Sequence, residues 1–222
     1  MKKLLFLLIL LVCSIESYCN KYLVPENGIE KKVVHLTEKL NINNEAIRLA
    51  VKGYEKLKEL GRIGNMRYLT IADFSKPSNE ERLFVIDMLL EQIVIKTLVA
   101  HGRNSGTLFA NSFSNKNESH QSSLGFYVTG NIYKGKHGAS LELNGVEEGI
   151  NDHAKNRAIV IHGANYVSNE FIKQQGYIGR SLGCPAVPNN KILEIINTIQ
   201  GASCMFIYAP NKTYLSNSSL SN

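Results

Sequence analysis

Tyr68-Leu69-Thr70-Ile71-Ala72-Asp73-Phe74 is followed by Ser75-Lys76-Pro77-Ser78 and then by Leu83-Phe84-Val85-Ile86-Asp87. Two short runs rich in β-branched and aromatic residues, separated by turn formers, read as a strand, a turn and a second strand. Ile93 to Ala100 gives a third strand, and the short Glu-containing connection before it predicts a hairpin. Further along, Gly125-Phe126-Tyr127-Val128-Thr129, Ser140 to Leu143, Ala158-Ile159-Val160-Ile161 and Ser203 to Tyr208 carry the same signature. Residues 101–123 are rich in Asn, Ser and Gly and show little periodicity. Many short strands with few helices favour a mainly β (α+β) domain over a doubly wound α/β fold.

Outside this β region the period lengthens. The pattern from Ile29 to Leu60 is helical: Ile47, Ala50, Val51, Tyr54 and Leu57 recur at steps of three and four behind the cap candidates Asn43 and Asn44. Gly61 and Gly64 end it. Near the other terminus Ile192, Leu193, Ile195, Ile196 and Ile199 predict a C-terminal helix closed by Gly201. The chain is thus expected to divide into an N-terminal helical segment (26–64), a catalytic-type domain (65–209) and a flexible, Asn/Ser-rich tail (210–222).

The first nineteen residues are of another kind. Lys2-Lys3, an apolar run from Leu4 to Val12 and the patch Ser14-Ile15-Glu16-Ser17 describe a signal peptide over 1–19. The run is short for a membrane span. Lipoprotein anchoring fits less well, because Val12 and Tyr18 precede Cys13 and Cys19 where a small residue is usual. An exported chain in the periplasm or cell envelope is therefore expected. Cleavage would remove two cations and one anion, lowering the formal charge from +6 to near +5. The cations are interleaved with acids, so nucleic acid is not an expected partner, whereas the periplasmic face of a membrane is compatible. Cys184 and Cys204 are too few for a disulfide scaffold. With no CxxC and no Cys/His cluster, neither a metal nor another cofactor is expected.

The residues that suggest chemistry lie late in the chain. Ile159-Val160-Ile161-His162-Gly163 places an imidazole at the end of a strand, where loops begin. Cys184 follows within Gly179-Arg180-Ser181-Leu182-Gly183-Cys184-Pro185. A thiol becomes a strong nucleophile only when ionised, and a neighbouring His is the usual means. Gly183 can turn backbone N–H groups toward a developing oxyanion. Other readings stand beside this one. A strand-end His is often structural, a lone Cys often a small buried hydrophobe, and Cys184 could pair with Cys204 in an exported protein. A wall-binding module without catalysis is thus also open. Cys204, within Met205-Phe206-Ile207, reads as a packing residue.

Ile161-His162-Gly163 together with Gly179-Arg180-Ser181-Leu182-Gly183-Cys184-Pro185-Ala186 resembles the murein L,D-transpeptidase catalytic domain family, in the exported bacterial branch. Phe84-Val85-Ile86-Asp87, Val99-Ala100-His101-Gly102 and Ser123-Leu124-Gly125-Phe126-Tyr127-Val128 resemble its core strands, so the likeness spans roughly 65–209. The resemblance implies an L,D-transpeptidase-like β-sandwich, acting as a monomer on peptidoglycan stem peptides and forming 3→3 cross-links through a Cys thioester. An L,D-carboxypeptidase using water as acceptor is the alternative. It further implies that Cys184 attacks, His162 takes its proton, the Gly163 carbonyl orients the imidazole, and the N–H groups of Gly183 and Cys184 hold the oxyanion. Arg180, Ser181 and His137 are the substrate-binding candidates, with Tyr133-Lys134-Gly135-Lys136-His137-Gly138 as a loop walling the site and His101 and Arg103 near it. The commoner motif has His where this chain has Leu182, and a polar residue where it has Ala186. Both differences bear on substrate positioning and leave the Cys–His pair intact.

Overall fold

The computed structural model describes residues 28–40, 42–136 and 138–221. The expected signal peptide and His137 lie outside the described residues. Eight strands form one mixed sheet: β1 (Tyr68–Asp73), β2 (Leu83–Asp87), β3 (Gln92–Thr97), β4 (Gly125–Gly135), β5 (Gly138–Gly145), β6 (Val160–Gly163), β7 (Ala186–Val187) and β8 (Cys204–Tyr208). Their order is β3-β2-β1-β8-β4-β5-β6-β7, with β1/β8 and β6/β7 parallel and the other pairs antiparallel. Beyond β3, Ala100 bridges Ala186 of β7 and Gly102 bridges Ser181. The two ends of the sheet are thereby joined, and the sheet curls in a barrel-like way that leaves less edge unpaired.

Every residue of β2 and β8 is buried, as are Leu69 to Asp73 of β1. Successive side chains point to opposite faces, so such strands must be covered on both. The helices provide the cover. Helix α1 (Gly28–Leu40) and helix α2 (Asn44–Glu59) are separate, where the sequence pattern ran on as one. Asn43 makes the break: its side chain accepts from the N–H groups of Glu45 and Ala46, both at 3.0 Å, and so starts α2 afresh. Helix α2 packs on β1 and β8. At Gly53 a Cβ would lie 2.1 Å from Cζ of Phe126, whose ring stacks on Phe206 at 4.3 Å. The helix approaches the sheet this closely because residue 53 has no side chain. Helix α3 (Asn169–Gln175) follows β6, capped by Ser168. Helix α4 (Ile192–Ile199), the predicted C-terminal helix, buries Ile192, Ile195, Ile196 and Ile199 against β1, β5 and β6.

Two expectations are corrected. The described part of the tail, 211–221, is folded: Lys212–Asn217 forms helix α5, and Tyr214, Ser218, Leu220 and Ser221 are buried. The reason is a buried carboxylate. Glu147 accepts from the Phe126 N–H at 2.7 Å, and the hydroxyls of Tyr214 and Ser218 complete its shell. A polar tail is retained because it satisfies a charge that would otherwise be costly to bury. Tyr133 to Gly135, part of the stretch read as a loop, belong to the outer end of β4, with Gly135 paired to Gly138 of β5.

Candidate active site

Cys184 follows a turn made from backbone and hydroxyl groups. Ser181 Oγ donates to the Cys184 carbonyl at 2.6 Å and accepts the Gly183 N–H at 3.0 Å. Ser122 Oγ donates to the Gly183 carbonyl at 3.1 Å and accepts the Gly102 N–H at 3.0 Å. Residues 101–103 pair with the same turn from the other side: the Ser181 N–H donates to the His101 carbonyl at 3.0 Å, and the Arg103 N–H to the Ser181 carbonyl at 2.8 Å. Gly183 has φ +127°, and a Cβ there would meet Gln121 O at 2.9 Å and Nη2 of Arg157 at 3.1 Å. Only glycine fits without strain. The Cys184 thiol is half-buried and sits 3.6 Å from the Ala158 carbonyl, as donor.

His162 is the penultimate residue of β6 and is buried. Its Nδ1 lies 2.9 Å from the Gly163 carbonyl. A carbonyl can only accept, so Nδ1 carries a proton, and in the neutral form of the ring the lone pair falls on Nε2. His162 and Cys184 line one cleft of about 370 Å³, with Tyr133, Lys136, Arg157, Tyr166 and Arg180 among its other walls. Burial pushes the Cys184 thiol above its ordinary value, while the Val160 N–H, Arg157 and Lys136 act in the opposite direction. Burial thus favours the neutral thiol, on a cleft that the His162 imidazole also lines.

A family model for the L,D-transpeptidase catalytic domain matches residues 38–208. The chain belongs to that family. The matched stretch begins within α1, so the helical segment read as preceding the domain is largely part of it. No curated protein matches this L,D-transpeptidase domain. Solved structures similar to it include an L,D-transpeptidase from Mycobacterium smegmatis, at 12% identity and TM-score 0.40, covering 64% of this chain and 59% of that one. Another is a variant of the helical cell shape determining protein from Campylobacter jejuni, at 15% identity and TM-score 0.41, covering 77% and 62%. A third is an L,D-transpeptidase from Xylanimonas cellulosilytica, at 11% identity and TM-score 0.40, covering 80% and 90%. This chain thus spans about three fifths of the first structure's length.

The L,D-transpeptidase domain distributes the anticipated residues unevenly. Cys184, His162, Arg180 and Ser181 meet at the cleft, and Gly163 carries the carbonyl that fixes the imidazole. Gly183 differs from expectation. Its N–H is taken by Ser181 Oγ, so of the two anticipated oxyanion donors only the Cys184 N–H remains. Ser181 differs likewise, because its hydroxyl is spent on the turn rather than turned to a ligand. Arg180 is exposed, donates to the Gly106 carbonyl at 3.2 Å and lies over the Tyr177 ring. His101 is fully buried on Arg82, and Arg103 reaches His120, so neither side chain is among the cleft's walls. Cys184 and Cys204 are both free, and Cys204 is buried in β8. Among the described residues no three His, Cys, Asp or Glu converge as metal ligands would. Likewise, no described helix is long and apolar enough to cross a membrane.

Of the cleft walls named above, Arg157 and Tyr166 escaped the sequence reading, and Arg157 is the one that carries charge. Its only early signal is indirect. The Ser/Asn-rich, aperiodic stretch up to residue 123 must satisfy its backbone somewhere, and a guanidinium with five donors suits it.

Proposed function

We propose that this domain is a cysteine acyltransferase that joins peptidoglycan stem peptides by L,D-transpeptidation, forming 3→3 cross-links. The observation that carries the reading is that Cys184 and His162, whose Nδ1 is tied to the Gly163 carbonyl, line one cleft. In this reading Cys184 Sγ attacks the carbonyl carbon of the third stem residue, a diaminopimelate, while its proton passes to His162. The tetrahedral oxyanion is held by the Cys184 N–H. His162 then returns the proton to the departing amine, the C–N bond to the terminal D-alanine breaks, and a thioester remains. An amine of a second stem attacks the thioester, loses its proton to His162 and expels the thiolate. No cofactor enters the scheme.

The setting for this chemistry is the periplasm or cell envelope, reached by export of the full chain. Muropeptide analysis of a deletion strain rescued with wild type or Cys184→Ala tests the proposal. Wild type restores 3→3 dimers and Cys184→Ala does not; equal restoration by both contradicts it. Incubating purified protein with tetrapeptide muropeptides separates the two acceptors. Dimers indicate an amine acceptor, and trimmed tripeptides indicate water and an L,D-carboxypeptidase.

A further inference from the structure

The nucleophile turn carries Leu182 where the commoner motif has an imidazole, and that side chain is exposed. A cation nevertheless lies close to the turn, brought there from a segment distant in sequence. Arg157 stands in the loop before β6 and lines the same cleft as Cys184. Its Nη1 donates to the Ser114 carbonyl and to Ser123 Oγ, both at 2.7 Å. Its Nη2 donates to the Gln121 carbonyl at 2.5 Å and to Ser119 Oγ at 3.3 Å. Every one of these acceptors is neutral. Among the described residues no carboxylate faces the guanidinium, and the ionisable groups that do so are Tyr127 and Cys184.

A half-buried guanidinium without an anion is an uncommon arrangement, because desolvation is then offset only by dipoles. It leaves the positive charge uncancelled and directed at whatever anion forms nearby. The two atoms nearest to a Cβ built at Gly183 are Gln121 O and Nη2 of Arg157, and these two are hydrogen-bonded to each other. The strap thus fixes the guanidinium, and the missing side chain at residue 183 lets the turn approach it.

We propose that Arg157 is a charge-positioning residue for the Cys184 thiolate, a fixed cation held by the 114–123 strap that stabilises the sulfur once its proton has left. The inference rests on the reading of Cys184 as nucleophile. The other titratable or charged groups around the sulfur are Lys136 from the β4/β5 hairpin, Tyr127 from β4, Tyr166 from the loop after β6, His162, and Arg180 at the rim. Of these, Lys136 acts in the same sense as Arg157. Lys136 is a flexible exposed side chain and is screened by solvent, whereas Arg157 is clamped.

The test is the pH dependence of iodoacetamide alkylation at Cys184, followed by mass spectrometry on the full protein. Arg157→Gln raises the midpoint by about one pH unit, which is about tenfold less thiolate at a fixed pH below it. Arg157→Lys keeps the charge and restores most of that shift. Ser123→Ala removes one bond of the clamp and none of the charge, so it lowers the melting temperature and leaves the midpoint in place. A midpoint unchanged in folded Arg157→Gln overturns the proposal, and so does a shift in Ser123→Ala equal to that in Arg157→Gln. Should Arg157→Gln fail to fold, Arg157→Met takes its place: a rise of about one unit in the midpoint supports the charge role, and a midpoint within about 0.3 unit of wild type overturns it. The reading of Cys184 fails separately, if Cys184→Ala retains turnover.

Discussion

Two segments of this domain have nearly the same sequence and hold their imidazoles in opposite ways. Val99-Ala100-His101-Gly102 and Val160-Ile161-His162-Gly163 each run from an extended stretch into a buried His followed by Gly. What differs is the group that meets Nδ1. At His162 it is the Gly163 carbonyl, an acceptor, so the lone pair resides on Nε2. At His101 it is Nη2 of Arg82 at 2.8 Å, a donor, so the lone pair is consumed on Nδ1 and the proton sits on Nε2. Arg82 is itself fully buried, bonded to the Val99 and Lys76 carbonyls and laid over the Phe74 ring at 4.7 Å. Burial and that guanidinium push His101 down to about 4. The comparison teaches that the dipeptide His-Gly does not decide which ring nitrogen carries the proton; a neighbour sets the tautomer.

The largest effects separate the two histidines by activity. Cys184→Ala is expected to reduce cross-linking turnover at least about 10³-fold, and His162→Ala to reduce it by about 10² to 10⁴-fold. His101→Gln spares the chemistry and instead costs about 1–3 kcal/mol of stability, because Arg82 loses its fitted acceptor. Turnover of purified variants with matched circular dichroism checks this. Equal losses from both His variants would dissolve the distinction.

Next is the pH dependence of folding. The folded-state value of His101, about 4, lies below its ordinary 6.5. As pH falls through that window the unfolded chain takes up the proton first, so stability present above about pH 6.5 is progressively lost toward pH 4. The loss approaches roughly 3 kcal/mol when complete. Thermal melts of wild type from pH 7 to pH 4.5, beside His101→Gln, should show a slope in wild type that the variant flattens. Parallel slopes would mean that other groups carry the acid sensitivity.

The smallest effects concern the glycines that follow each His. A Cβ at Gly102 would lie 2.5 Å from the His120 backbone carbonyl, which cannot move aside; one at Gly163 would lie 2.5 Å from the Asn189 side-chain oxygen, which can. Gly102→Ala is therefore expected to cost about 2–3 kcal/mol, and Gly163→Ala about 1 kcal/mol, by chemical denaturation. The reverse order would show that the Asn189 side chain is held as firmly as a backbone.

The strands were legible because they are local signals, and so was the motif naming Cys184 and His162, which line one cleft. Tyr68 to Asp87 alternates between β-branched runs and turn formers, and Cys184 sits among glycines with a strand-end His upstream. The contrast between the two histidines was not legible, since Arg82 and Gly163 reach their imidazoles by tertiary placement and by backbone direction. Asn43, noted as a cap candidate, breaks one helical pattern into two, but whether a cap acts depends on the backbone before it. The outer β4/β5 hairpin was hidden because Asn131 to Lys134 are exposed and leave no alternation to read. The tail after residue 210 was misread as frayed, because its hydroxyls answer Glu147, some seventy residues away. Gly183 was assigned to the oxyanion site from its flexibility, and only the hydroxyl of Ser181 shows that its N–H is already engaged.

The pairing of a nucleophilic Cys184 with a basic His162 is tested most directly by intact-protein mass spectrometry after incubation with a carbapenem, with peptide mapping of the product. The account predicts one covalent adduct, on Cys184, formed at least about tenfold more slowly in His162→Ala, at an unchanged rate in His101→Gln, and absent in Cys184→Ala. An adduct on another residue, or acylation that survives in Cys184→Ala, would contradict it.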